Sequence, residues 1–211
     1  MPRMSVIVKI CGMTTLEDAL AAVDFGADAV GFVFHPASPR FVDFEHAAQI
    51  ARKLPVHVVK VGVFVDTPEE MVFGAISSCG LNLLQFHGQE PPEYCVQFGL
   101  MSMKAFRVKD ESSLLALDSY ATDAWLLDSY SADKLGGTGE KFNWDLARQA
   151  GKSGRPVFLA GGLTPENVTD AIRAVHPYGV DVSSGVEAAP GKKDLAKLEA
   201  FIRAAKAAAA G

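Results

Sequence analysis

Two stretches in the last third of the chain join a short apolar run to a turn of glycines or hydroxyl residues, which is the composition of an anion cradle. Val157-Phe158-Leu159-Ala160 runs into Gly161-Gly162, and Gly179-Val180-Asp181-Val182 runs into Ser183-Ser184-Gly185. Backbone N–H groups in such turns can reach a phosphate because glycine puts no side chain in the way, and a following helix N-terminus adds partial positive charge. Thr164-Pro165-Glu166-Asn167 reads as that helix start, with proline at the first helical position. Glycine is also common in ordinary strand-to-helix turns, so the two turns make one site only if their strands are neighbours. A thiol, Cys11, and a carboxylate, Asp128, also directly follow strand-like runs.

The elements that would position these groups alternate along the whole chain. Val6 to Ile10 is a β-branched strand, and Leu16 to Phe25 is a helix in which Thr15 and Asp18 resemble a capping box. A second strand, Ala29 to Phe34, leads through a loop bearing Ser38-Pro39-Arg40 to a helix over Glu45 to Lys53. Strands follow at His57 to Val65, Leu81 to Phe86, Met101 to Phe106 and Ala124 to Leu127, with helices at Pro68 to Ser77, Pro92 to Phe98, Glu111 to Leu117 and from near Asn143. The two cradle units and a final helix over Lys193 to Ala210 complete the chain. About eight alternations of roughly 25 residues predict a single-domain (β/α)8 TIM barrel over residues 1–211. A doubly wound open sheet is the structural rival, but eight units in so short a chain fit closure better. In a barrel the chemistry lies at the C-terminal ends of the strands. That rule selects Cys11, Arg40, Asp66, His87, Arg107, Asp128 and the two turns, with Cys11 and Asp128 able to face each other across the mouth.

Composition limits the partners. The chain has 211 residues, 49% hydrophobic and 21% charged, enough for one substantial core. A net charge of −5 offers no basic stripe, which argues against nucleic acid or an anionic membrane and for a small ligand. Three cysteines without a CxxC pair argue against a disulfide framework or structural zinc, and Cys79 and Cys95 read as small buried hydrophobes. The apolar run ending at Lys9 is too short for a signal-peptide core and no later stretch approaches a membrane span, so the expected compartment is the cytoplasm.

Taken in order, Lys9-Ile10-Cys11-Gly12, Gly31-Phe32-Val33-Phe34 with Ser38-Pro39-Arg40, Gln85-Phe86-His87-Gly88, Leu127-Asp128, Gly136-Gly137-Thr138-Gly139, Gly161-Gly162-Leu163 with Pro165-Glu166-Asn167-Val168, and Val180-Asp181-Val182-Ser183-Ser184-Gly185-Val186-Glu187 resemble phosphoribosylanthranilate isomerase. The resemblance runs nearly end to end. Two positions depart from it: Phe86 stands where leucine is more usual, and Asn143 where aspartate is.

The resemblance implies the Amadori rearrangement of N-(5-phosphoribosyl)anthranilate to 1-(o-carboxyphenylamino)-1-deoxyribulose 5-phosphate in tryptophan biosynthesis. It makes Asp128 the general acid and Cys11 the general base, with no metal or organic cofactor because the substrate nitrogen is the electron sink. It gives the anthranilate carboxylate to Arg40, a sugar hydroxyl to Asp181, and the phosphate to Gly161, Gly162, Ser183, Ser184 and Gly185. The expected partner is this phosphoribosyl substrate, and the assembly a monomer or homodimer. A carboxyl that donates near neutral pH needs a desolvated setting that raises its pKa, and the thiol needs a shift down from about 8.5. Lys9, two residues before Cys11 on one strand face, is either the ammonium that favours the thiolate or a member of a buried ion pair. Two other functions stay open at this point. A related histidine-pathway isomerase would carry paired aspartates, whereas this chain has Cys11 at the first position, and a catalytically silent phosphosugar binder would keep the turns without needing Cys11 or Asp128.

Overall fold

The computed structural model describes residues 6–129 and 144–210. The Gly136-Gly137-Thr138-Gly139 segment and Asn143 lie outside them. Eight strands, β1 (Ile7–Cys11), β2 (Ala29–Val33), β3 (Val59–Phe64), β4 (Leu83–Phe86), β5 (Met101–Val108), β6 (Ala124–Ser129), β7 (Val157–Leu159) and β8 (Gly179–Val182), pair in sequence order and close into a barrel. Every pairing is parallel, and closure matches Lys9 with Asp181 and Ile10 with Val182 across β1 and β8. The expected barrel is therefore the fold, and the open-sheet rival is excluded. No helix among the described residues is long and apolar enough to cross a membrane.

Side chains alternate between the two faces of each strand, so the barrel has two apolar regions. Inside, Met103, Ala105, Ala124, Leu126, Phe158 and Ala160 fill the lumen with Ile7 and Leu83, and Cys11, Val33 and Val63 lie together as a separate group. Outside, Val8, Ile10, Phe32, Phe64 and Phe86 pack in one continuous core with the helices. Fully burying each such side chain contributes about 1.5–3 kcal/mol. Phe86 belongs to this outer region, with its ring centroid 6.0 Å from Phe64, 5.6 Å from Phe98 and 5.7 Å from Tyr94. The extra volume at this unusual position is thus taken up behind the strand.

The helices are α1 (Leu16–Asp24), α2 (Phe44–Ala51), α3 (Glu69–Cys79), α4 (Trp144–Gly151), α5 (Val168–Val175) and α6 (Leu195–Ala210). Thr15 caps α1, its hydroxyl accepting from the Asp18 N–H at 3.1 Å, but the expected box is not closed, and the Asp18 carboxylate accepts from the Lys193 N–H at 3.0 Å. Two expected helices are absent. Pro92 to Phe98 holds only a 3-10 turn at Tyr94–Val96, and Glu111 to Leu117 gives way to two, Glu111–Leu114 and Leu117–Ser119. In the latter, Asp110 caps the first turn by accepting from the Ser112 N–H at 3.0 Å, but the Ser113 hydroxyl bonds back to the Lys109 and Asp110 N–H groups, a local alternative to helical bonding. α5 begins three residues after Pro165, because Asn167 is occupied in bracing the turn: its Oδ1 accepts from the Thr164 N–H at 2.8 Å and its Nδ2 donates to the Gly162 carbonyl at 2.9 Å. An unforeseen hairpin, β9 (Glu187–Ala189) with β10 (Lys192–Lys193), follows β8.

Candidate active site

The C-terminal ends of the strands surround a cavity of about 540 Å³. Cys11, Arg40, Asp128, Asp181, Gly161, Gly162, Ser183, Ser184 and Gly185 all line it, as do His87 and Arg107. Asp66 does not. Its backbone is left-handed at φ 47°, its N–H donates to Glu90 at 2.8 Å and its carboxylate accepts from the Gln89 N–H at 2.5 Å, so it builds the turn after β3.

The two glycine turns meet the condition set by the sequence. β7 and β8 are neighbours, with Phe158 opposite Gly179 and Leu159 opposite Val180. The turns touch: a Cβ on Gly185 would lie 1.9 Å from the carbonyl oxygen of Leu163. Gly161 and Gly162 have φ of 79° and 66°, a region in which side-chain-bearing residues are strained. After β8 the chain forms only a 3-10 turn, Ser184–Val186, so the contribution of that turn to anion binding is its own backbone and hydroxyls rather than a long helix.

Inside the mouth, Lys9 is a member of a buried ion pair, one of the two readings of its position. It is fully buried, and its ammonium donates to Asp181 Oδ1 at 2.7 Å. A Cβ on Gly31 would lie 2.9 Å from Cys11 Sγ and 3.2 Å from Lys9 Nζ, so glycine at this point of β2 makes room for both. Burial works to lower the Lys9 pKa, but Asp181 and Cys11 together hold it above its ordinary value. Asp181 thus lines the cavity with one oxygen already committed.

The expectation for the thiol is overturned. Burial, the largest influence, pushes Cys11 above the ordinary thiol value; Lys9 pulls it down, Asp181 pushes it up and Lys193 pulls it down, without restoring it. Across the mouth, the Asp128 side chain keeps 29% of its exposure, and its Oδ2 lies 3.3 Å from His87 Nε2. Gln85 Nε2 lies 3.1 Å from His87 Nδ1, fixing the imidazole from behind.

Arg40 is paired within the protein. Its Nε donates to Glu187 Oε1 at 2.8 Å and its Nη2 to Oε2 at 2.6 Å. Sequence reasoning gave no role to Gln85, Glu187 or Lys193. Gln85 could have been found from the strand alternation that puts it on the same face as His87, whereas Lys193 carries no such local signal.

Comparison with known proteins agrees with this geometry. Residues 8–204 match the family described as N-(5'phosphoribosyl)anthranilate (PRA) isomerase. An N-(5'-phosphoribosyl)anthranilate isomerase of Pelobacter propionicus is 55% identical over 199 residues, 94% of this chain and 95% of that protein. The crystal structure of phosphoribosyl anthranilate isomerase from Thermotoga maritima is similar with a TM-score of 0.90 and 45% identity, covering 96% of this chain and 99% of that one. A phosphoribosyl anthranilate isomerase solved with reduced 1-(o-carboxyphenylamino)-1-deoxyribulose 5-phosphate is similar with a TM-score of 0.87 and 43% identity over 96% and 99% of the two chains. With thiol, carboxylate, arginine and paired turns around one cavity, and with matches spanning nearly its whole length, this chain belongs to the N-(5'-phosphoribosyl)anthranilate isomerase family.

Proposed function

We propose that the chain catalyses the Amadori rearrangement of N-(5-phosphoribosyl)anthranilate in tryptophan biosynthesis, with Asp128 as general acid and Cys11 as general base. The observation that supports these roles most is that a thiol and a carboxylate line the same cavity as the paired turns and Arg40. Asp128 donates a proton to the furanose oxygen as the C1–O bond breaks and the substrate nitrogen forms a protonated Schiff base. Cys11, as thiolate, takes the proton from C2, and the C–H electrons pass into the iminium to give the enolamine, which tautomerises to the ketone. The buried thiolate is a stronger base than a solvated one, and the Lys9 ammonium, held by Asp181, supplies the charge against which it forms. The phosphate sits against the turns after β7 and β8, Asp181 faces a sugar hydroxyl, and Arg40 takes the anthranilate carboxylate. His87 orients Asp128. Three free buried cysteines fit a reducing cytoplasm, and the assembly is a monomer or homodimer, since one solved Thermotoga maritima relative is described as generated monomers of a dimeric isomerase.

The test follows loss of substrate fluorescence, with indoleglycerol phosphate synthase present to trap product. Cys11→Ala and Asp128→Ala should each lower kcat by about 10²-fold or more, with product-analogue affinity little changed. Turnover at the uncatalysed background in the unmodified protein would leave only a phosphosugar-binding barrel. Near-normal kcat in Cys11→Ala would assign the base to another residue.

A further inference from the structure

The charged groups beside the cavity are organised beyond what holding a phosphate and moving two protons requires. A guanidinium carries five N–H donors in a planar fork. Arg40 turns its side edge, Nε and one N–H of Nη2, onto the Glu187 carboxylate, which leaves the end edge formed by both Nη groups for a second oxyanion. Glu187 is 8% exposed and Lys193 3%, whereas the Arg40 side chain keeps 22%. The Lys193 ammonium donates to Glu187 Oε1 at 3.0 Å, to the Cys11 carbonyl at 2.7 Å and to the Ser183 carbonyl at 3.4 Å. The Ser183 hydroxyl also reaches Glu187 Oε1, at 3.4 Å. One carboxylate therefore serves two cations, and these three groups together keep a positive charge beside the cavity.

The backbone is shaped for the same arrangement. The β9–β10 hairpin sets Lys193 opposite Glu187. Gly12, at φ 76°, lets the Arg40 stem lie against the turn after β1, where a Cβ would come within 2.6 Å of Arg40 Cδ and 3.0 Å of Ser183 Oγ. Burial pushes the Glu187 carboxyl up, and Arg40 and Lys193 more than offset it, so it stays below its ordinary range.

We propose that Glu187 and Lys193 are positioning residues for recognition of the substrate's aromatic carboxylate. Glu187 holds the Arg40 guanidinium by its side edge so that the end edge faces the cavity, and Lys193 balances Glu187 and ties it to the strand ends that carry Cys11 and Ser183. The inference rests on the reading that Arg40 receives this carboxylate.

The experiment measures, by calorimetry, binding of reduced 1-(o-carboxyphenylamino)-1-deoxyribulose 5-phosphate and of the same compound lacking the carboxyl group. A charge-assisted pair of hydrogen bonds predicts that the unmodified protein prefers the carboxylated compound by about 10- to 100-fold. Glu187→Gln should erase most of this preference while leaving affinity for the decarboxylated compound nearly unchanged, and should raise KM far more than it lowers kcat. Glu187→Asp, which keeps the charge but shortens the reach, should retain part of the preference and stands in if Glu187→Gln does not fold. Equal loss for both compounds in the folded variants would make Glu187 merely structural and overturn the proposal. Arg40→Ala separates the two layers. If Arg40→Ala keeps the preference, the carboxylate reading of Arg40 fails. If Arg40→Ala loses it but both Glu187 variants keep it, the positioning role alone fails.

Discussion

Gly185→Ala tests whether contact between the two glycine turns makes the phosphate site. The added Cβ would sit 1.9 Å from the Leu163 carbonyl oxygen, a backbone atom that cannot swing aside. Even a close carbon-to-oxygen contact needs about 3.3 Å, so the turns must part by roughly 1.4 Å. A hydrogen bond of about 2.9 Å stretched that far is lost. Each N–H lost to a charged phosphate oxygen contributes about 1.5–3 kcal/mol, or about 10- to 100-fold in affinity. Overpacking adds a stability cost of about 1–3 kcal/mol, which lowers Tm by roughly 2–12 °C in a chain of this size. Calorimetric titration with the reduced product, alongside thermal unfolding, reads both effects. Gly162→Ala is the contrast. Nothing lies within 4 Å of its Cβ, but its φ is +66°, so a strain of about 1–2 kcal/mol should appear in Tm with a much smaller change in affinity. Wild-type affinity in folded Gly185→Ala protein would refute the idea that close turn packing builds the cradle.

Two further outcomes concern the buried ionisable groups. Lys9→Met removes the strongest pull toward the thiolate and strands Asp181, so the Cys11 thiol moves further up and the ascending limb of kcat/KM shifts to higher pH. Iodoacetamide labelling of Cys11, with Cys79 and Cys95 replaced by alanine, should slow at fixed pH, and folding stability should fall by about 3–5 kcal/mol. An unchanged thiol pKa would remove Lys9 from the mechanism. Burial also pushes Cys79 up to about 11 and Cys95 to about 12. These groups ionise more readily unfolded than folded, so their contribution to stability is intact below about pH 9 and is lost as pH rises toward 11 and 12. Urea midpoints measured on both sides of that window should fall on the alkaline side, and replacing both cysteines by alanine should flatten the decline.

The barrel was legible because each strand is a short apolar run bounded by turn residues, and that signal is local. Strand order and the strand-end rule then gathered Cys11, Arg40, Asp128 and both turns around one cavity without any contact being known. The misreadings were local too. Asn167 braces a turn where the position of Pro165 suggested a helix start, and the Ser113 hydroxyl bonds back to the Asp110 N–H where a continuous helix was expected. What could not be read were pairings across the chain. Arg40 and Glu187 are 147 positions apart, and Lys193 and the Cys11 carbonyl 182, so no periodicity links them. The direction of the Cys11 shift depends on how deeply the mouth buries the thiol against two ammonium groups and a carboxylate, and that balance exists only in three dimensions.

The seam between β1 and β8 bears on how the protein comes into being. Synthesis delivers Lys9 long before Asp181, its partner 172 positions later. A nascent half-barrel that buried β1 would enclose an ammonium with no carboxylate, at a cost of several kcal/mol. Such a fragment gains by keeping its first strand in water, and the closing step has to bring the two ends of the polypeptide together at once. Cys11 and Ser183 acquire their shared Lys193 anchor in the same step. The residues lining the cavity run from Cys11 to Gly185, so no contiguous half of this chain can build it and the cavity is completed only with the last strand.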